Sequence, residues 1–344
     1  MSKLHHICSA AILAAFFTIG TALASVPITL PVTITNALGT QLSNIGDTGG
    51  TTTGAAFTGS CGGLPGLTIQ DASSADGSSD AYDNAWQLWI DGAVFSSGVN
   101  AIQDITGRKI TAGPVTLSGL NVTHQIYLSD TLEVARILAS FHNPTGSPIN
   151  TMVEVPVNFG SDGSTTVEGT SSGDAVFDVN DRWAVTSDGA PASDPVNTTV
   201  LYGPGAPGVV PTSVTQTLFS CAGTEGIGAT FDFTIPAGGT SSLLFFAGLG
   251  SIDNSATNDI GTALVQAAAI WDAEQSLIDA GLLDDLTQAQ LNQIRNWAFA
   301  PRGPGPDGDP LCGNLIPVGG PHAGWGLAIV SLMLLGIWLV RRRV

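Results

Sequence analysis

The stretch "SSLLFFAGLG", residues 241–250, restricts the fold of this chain more than any other. Its apolar residues do not alternate with polar ones. As a strand it is apolar on both faces, and such a strand has to lie between two packed layers. The segment before it, "ATFDFTIPAGG", does alternate and puts Phe231 and Phe233 on one face. A core strand beside a half-buried strand, separated by turn residues, points to stacked antiparallel sheets.

The same pattern recurs upstream. In "AWQLWIDGAVF", Trp86, Leu88 and Ile90 point one way, and Gln87, Trp89 and Asp91 the other. Asp91-Gly92 is a hairpin signal. "GRKITAGPVTLSGLNVTHQIYLSD" reads as three short strand-like runs broken by Gly and Pro. "LEVARILASFHNPTGSPINTMVEVPVNFGSD" reads as two longer strands joined at "NPTGSP". After residue 254 the period changes to that of a helix. Ile260, Leu264, Ala268, Trp271, Leu277 and Ile278 follow it, and Gly281 can end the helix. A second helix opens at Thr287, with Gln290 placed for a capping box.

The expected fold is therefore mainly β: an antiparallel β-sandwich ectodomain with a C-terminal α-helical hairpin, then one transmembrane helix. Residues 1–24 read as a secretory signal peptide, with Lys3 before an apolar run and Ala22 and Ala24 at the cleavage site. The sandwich spans 25–254 and the helical hairpin 255–300, packed on it. A Pro/Gly-rich linker covers 301–322. Residues 323–340 carry no charge and suffice to cross a bilayer, and the Arg cluster 341–344 holds the cytoplasmic side.

Between the two apolar ends the charge is one-sided. Six basic residues face 28 acidic ones, a net charge of −22. Such a surface repels nucleic acid and attracts cations. Export allows disulfides, and Cys61 with Cys221 is the favoured pair among the three cysteines left after the leader. "DASSADGSSDAYD" groups Asp71, Asp76, Asp80 and Asp83, and "GDAVFDVND" groups Asp174, Asp178 and Asp181. Oxygen-rich flexible loops of this kind suit calcium. The same aspartates also suit plain turns. No cofactor is otherwise implied. His124 and His142 are isolated, and the catalytic motifs of hydrolases, kinases and metalloproteases are absent. Trp86 or Trp89, and Trp183, are candidates for stacking on sugar if exposed, and for the core if not.

The C-terminal order of linker, "IPVGGPHAGWG", apolar span and Arg341-Arg342-Arg343 resembles the sorting signals that exosortases handle in Gram-negative bacteria. The nearest class is IPTL-CTERM. Ile316, Pro317, Trp325 and Gly326 match its motif, and Val318 and Gly319 stand where the class has Thr and Leu. The resemblance implies an exosortase-type processing enzyme as partner. The chain then remains anchored in the inner membrane with a periplasmic ectodomain, or is passed to the cell surface. The expected function is that of a non-enzymatic surface protein in adhesion or envelope interaction. The alternative is an exported carbohydrate-active or carbohydrate-binding sandwich protein, with a surface glycan as ligand.

Overall fold

The computed structural model describes residues 25–49, 66–104, 106–216, 226–253 and 258–300. Those residues are mainly β, in antiparallel sheets, with few helices. The first strands are β1 (Val26–Thr29), β2 (Val32–Thr35), β3 (Gln41–Asp47), β4 (Leu67–Thr68), β5 (Asp71–Ser73), β6 (Trp89–Ile90), β7 (Ala93–Val94) and β8 (Asn100–Gln103). Then come β9 (Lys109–Leu117), β10 (Leu120–Leu128), β11 (Val134–His142), β12 (Ile149–Asn158), β13 (Thr166–Thr170), β14 (Trp183–Ser187), β15 (Asn197–Val200) and β16 (Ser213–Thr215). The last two are β17 (Gly226–Ile235) and β18 (Thr240–Leu249).

Nine strands form one sheet in the order β1-β8-β9-β10-β11-β18-β15-β14-β13. Five form the facing sheet, β16-β17-β12-β6-β7. A small sheet of β2, β3, β4 and β5 sits beside them. The doubly apolar run is β18, in the interior of the large sheet between β11 and β15. Leu243, Phe245, Ala247 and Leu249 enter the core between the two sheets. Leu244 and Phe246 enter a second core on the opposite face. Each buried Leu or Phe contributes about 1.5–3 kcal/mol of transfer free energy. Phe231 and Trp86 pack on Phe245 at centroid distances of 5.6 and 6.2 Å.

The second core is closed by three short helices, α1 (Ile260–Trp271), α2 (Glu274–Asp279) and α3 (Gln288–Gln293). The sequence pattern suggests a two-helix hairpin; the first of its helices is divided. Asp272 ends α1, and its carboxylate is held by Arg182 Nη2 at 2.7 Å and Trp183 Nε1 at 2.9 Å. Those two bonds tie the chain to the start of β14. Gly281, at φ +69°, follows α2, and the capping box of Thr287 and Gln290 is formed. Trp271 stacks on Phe246 at 5.0 Å, and Trp297 meets it edge-on at 5.4 Å. Gly203 allows this approach: a Cβ there would lie 2.1 Å from the Trp297 ring.

One other expectation needs correction. The three runs in 107–130 are two nine-residue strands, with Gly113-Pro114 inside β9 where its register against β10 shifts. A bulge absorbs residues that would end a regular strand. The two longer strands joined at "NPTGSP" are β11 and β12, and they do not pair with each other. They lie in opposite sheets, and so do β17 and β18. The chain arches from one sheet to the other at 143–148 and again at 236–239. Asn143, fully buried, joins the arches: its Nδ2 donates to Ser147 O and Ile235 O, and its backbone N–H to Gly239 O.

Candidate functional site

The outer face of the five-stranded sheet carries a groove of about 430 Å³, lined by Asp91, Asn150, Thr151, Met152, Asp232, Phe233 and Thr234. Strand alternation builds it. On β17, Phe231 is buried, while Asp232 and Thr234 are exposed. Register sets Asp232 across from Met152, and Thr234 across from Asn150. On the far side of β12, the hairpin between β6 and β7 turns at Asp91 and Gly92, both with positive φ, as an Asp-Gly two-residue turn requires.

The groove's side chains are held in place. Asp91 N–H donates to Met152 O, and Met152 N–H returns a bond of 2.8 Å to Asp91 Oδ1. Thr151 Oγ1 donates to Asp91 Oδ2 at 3.3 Å. Thr212 Oγ1 donates to Asp232 Oδ2 at 2.8 Å, and Thr234 Oγ1 to Asn150 Oδ1 at 2.6 Å. Phe233 leans inward and meets Phe141 edge-on at 5.6 Å. The groove therefore presents two carboxylates, an amide and hydroxyls, with Met152 between the carboxylates, on a hydrogen-bonded sheet. Fixed polar groups around an apolar spot can bind a polyhydroxylated molecule and fix its orientation.

A second concentration of charge lies at one end of the sandwich. The loop from Asp71 folds back on Glu133, whose Oε2 accepts from Ala75 N–H at 2.5 Å and Thr40 Oγ1 at 3.4 Å. Burial raises the Glu133 carboxyl to about 7, with Asp76 and Asp253 adding repulsion. Asp194 is raised to about 6, first by desolvation and then by Asp188, Asp80, Asp162 and Asp71. Asp71 is raised too, by burial and by Asp80.

The aspartates suggested for calcium divide among these surroundings. Asp76 accepts from Ser74 Oγ and Ser78 N–H, and Asp71 from Ala72 N–H. Asp83 is placed by its backbone, which exchanges bonds with Asn158. Asp80 adopts φ +74°, and its carbonyl lies where a Cβ on Gly160 would sit. In the other loop, Asp174 accepts from Val176 N–H, Asp178 from Asn180 N–H, and Asp181 from Ser172 and Asp178 N–H groups. These carboxylates shape turns, as Asp does when it bonds backbone two residues on. Among the described residues no three acidic, His or Cys side chains converge to hold a metal.

Of the two roles open to the tryptophans, the structure gives them the core. Trp86, Trp89 and Trp183 are all buried, Trp89 beneath Val94 and Trp183 beneath the helices. His124 is buried against the Phe95 edge, and loss of solvent lowers it to about 4. His142 Nδ1 meets Thr240 Oγ1. Neither histidine is hydrogen-bonded to a carboxylate. Ala22, Ala24, Cys61, Cys221, Ile316, Pro317, Trp325, Gly326, Arg341, Arg342, Arg343 and the span 323–340 lie outside the described residues. Among the described residues no helix is long and apolar enough to cross a membrane.

The groove itself is not visible in the sequence. Asp91 reads as a turn former and Asp232 as one polar residue in an alternating strand. Only the alternation, which sends Asp232, Thr234, Asn150 and Met152 outward, could have nominated them together.

No family model matches the chain, and no curated protein matches it in sequence. Among solved structures it is similar to a proposed kojibiose phosphorylase from the human microbiome, at 12% identity and a TM-score of 0.36, over 74% of this chain and 35% of that one. It is also similar to a polysaccharide lyase, at 12% identity and a TM-score of 0.29, over 53% of this chain and 28% of that one. The chain spans about a third of the length of these structures.

Proposed function

We propose that this is an exported envelope protein whose sandwich binds carbohydrate in the groove of the five-stranded sheet, without turning it over. The observation that carries the reading is the groove: carboxylates, an amide and hydroxyls fixed by their own hydrogen bonds around Met152. Sugars offer paired hydroxyls to such acceptors and an apolar ring face to such a side chain. The leader and the C-terminal sorting-like segment support export, with retention at the membrane or release at the surface. Adhesion to another protein gains no comparable surface among the described residues.

The test is calorimetry of the purified full chain with neutral oligosaccharides, paired with an assay for new reducing ends. Binding without product, weakened about tenfold by Asp232→Ala (about 1.4 kcal/mol, the size of one charge-assisted hydrogen bond), is expected. No binding at millimolar sugar overturns the reading. Release of reducing ends that an Asp→Asn change abolishes would overturn its non-catalytic part. Intact mass of the native protein tests the tail: an end within 315–325 supports processing, and an end at Val344 supports a permanent anchor.

A further inference from the structure

We infer that the groove selects sugars bearing a free amine, a hexosamine oligomer, over acidic or N-acylated ones. This rests on the carbohydrate reading of the same groove and adds the ligand's charge.

Three observations carry it. First, among the described residues the groove's charged side chains are Asp91 and Asp232, and no Arg or Lys lines it. Both carboxylates also sit on a chain region of net charge −22. A uronic acid, sulfated or phosphorylated sugar entering here meets repulsion from both carboxylates, and a cation is drawn in. Second, the two carboxylates flank one strand at a set spacing. Asp232 stands across from Met152 on β17, and Asp91 bonds Met152 from the other side. Two strand intervals separate their backbones, about 10 Å. Linked pyranose rings can span that distance, so amines on nearby rings can each face a carboxylate. Third, both carboxylates keep bonding capacity. Asp232 uses Oδ2 for Thr212, and no described residue bonds Oδ1. Each Asp91 oxygen accepts a single bond from the described residues. An ammonium donating to them makes charge-assisted hydrogen bonds, roughly twice as strong as neutral ones. Acetylation removes both the charge and two donors.

The experiment compares a glucosamine tetramer, its fully N-acetylated form, a galacturonate tetramer and spermidine by calorimetry. The full chain is used, at mildly acidic pH where the amine is protonated. The glucosamine tetramer is expected to bind at least tenfold more tightly than the acetylated one. Its affinity should fall with added salt, as ion pairing demands, and the galacturonate should not bind. Asp232→Asn, with an unchanged melting temperature, should remove about half of that preference on a logarithmic scale, Asp91 keeping the rest. Equal or tighter binding of the acetylated tetramer overturns the inference and leaves the carbohydrate reading intact. So does competition by galacturonate. Spermidine binding as tightly as the tetramer shows a plain cation site and overturns the sugar part. Binding of no sugar at all overturns both readings.

Discussion

Two carboxyl groups close to the start of β11 behave in opposite ways. Glu133, at the acidic end, is pushed up to about 7 by burial and by neighbouring carboxylates. Asp285, over the outer face of the large sheet, is held at about 2. Burial would raise Asp285 as well, but the bonds and charge of Arg136 and then Lys109 overcome it. Register explains the grouping. Lys109 pairs with Tyr127, Tyr127 with Arg136, and Arg136 with Phe246, so one row across the sheet runs from cations to aromatics. Arg136, with no exposed surface, stacks on Tyr127 at 4.7 Å and bonds both Asp285 oxygens and Leu282 O. Scarce cations are thus used where helices must be fastened to a sheet that offers them no ladder. Among the described residues Glu133, Asp71 and Asp194 make no ion pair, and burial and mutual repulsion raise their carboxyls.

Removing the counter-ion gives the largest expected effect. Asp285→Ala leaves Arg136 charged and buried, and should cost about 3 kcal/mol in urea unfolding. A loss under about 1 kcal/mol would mean water reaches the guanidinium. The acidic end gives the next effect. Because the folded pKa of Glu133 exceeds its ordinary value of 4.5, its contribution is full below about 4.5 and is lost as pH rises through about 7. Asp285 has the opposite sign: its contribution is full above 3.8 and is lost as pH falls through about 2. The melting temperature should therefore fall between about pH 5 and about pH 7. Glu133→Gln should flatten that slope and raise stability above it by about 1–2 kcal/mol. A slope unchanged in the variant would remove Glu133 from the account. The smallest effect belongs to Lys109, a quarter exposed at 3.0 Å from Asp285. Lys109→Ala should cost about 0.5 kcal/mol and lose even that in high salt.

Local patterns were legible where one strand states its own surroundings. The run at 243–249 announced two cores because both its faces are apolar, and Asp91-Gly92 announced its turn because only φ-tolerant residues fit there. The helix stops and cap at Gly281 and Thr287 were legible for the same reason. What depends on a distant partner was not. "NPTGSP" suits a hairpin and an arch equally, and only the strands beyond decide between them. Trp89 looked outward by parity, yet Val94 covers it. Arg136 stands alone in an apolar run, and its partner Asp285 lies far along the chain. The groove is the extreme case, since Asp91 and Asp232 meet through a strand that belongs to neither.

The arches joined at Asn143 bear on how the molecule comes apart. Pairs β11/β18 and β12/β17 belong to different sheets, yet they are the same two stretches of chain folded over. Peeling away the five-stranded sheet would strip the large sheet of the anchored ends of two interior strands. The two layers should therefore melt in one transition, and amides of β12 and β18 should exchange with solvent only through global opening. A groove built on β12 and β17 inherits that rigidity, so little ordering remains to be done when a ligand arrives.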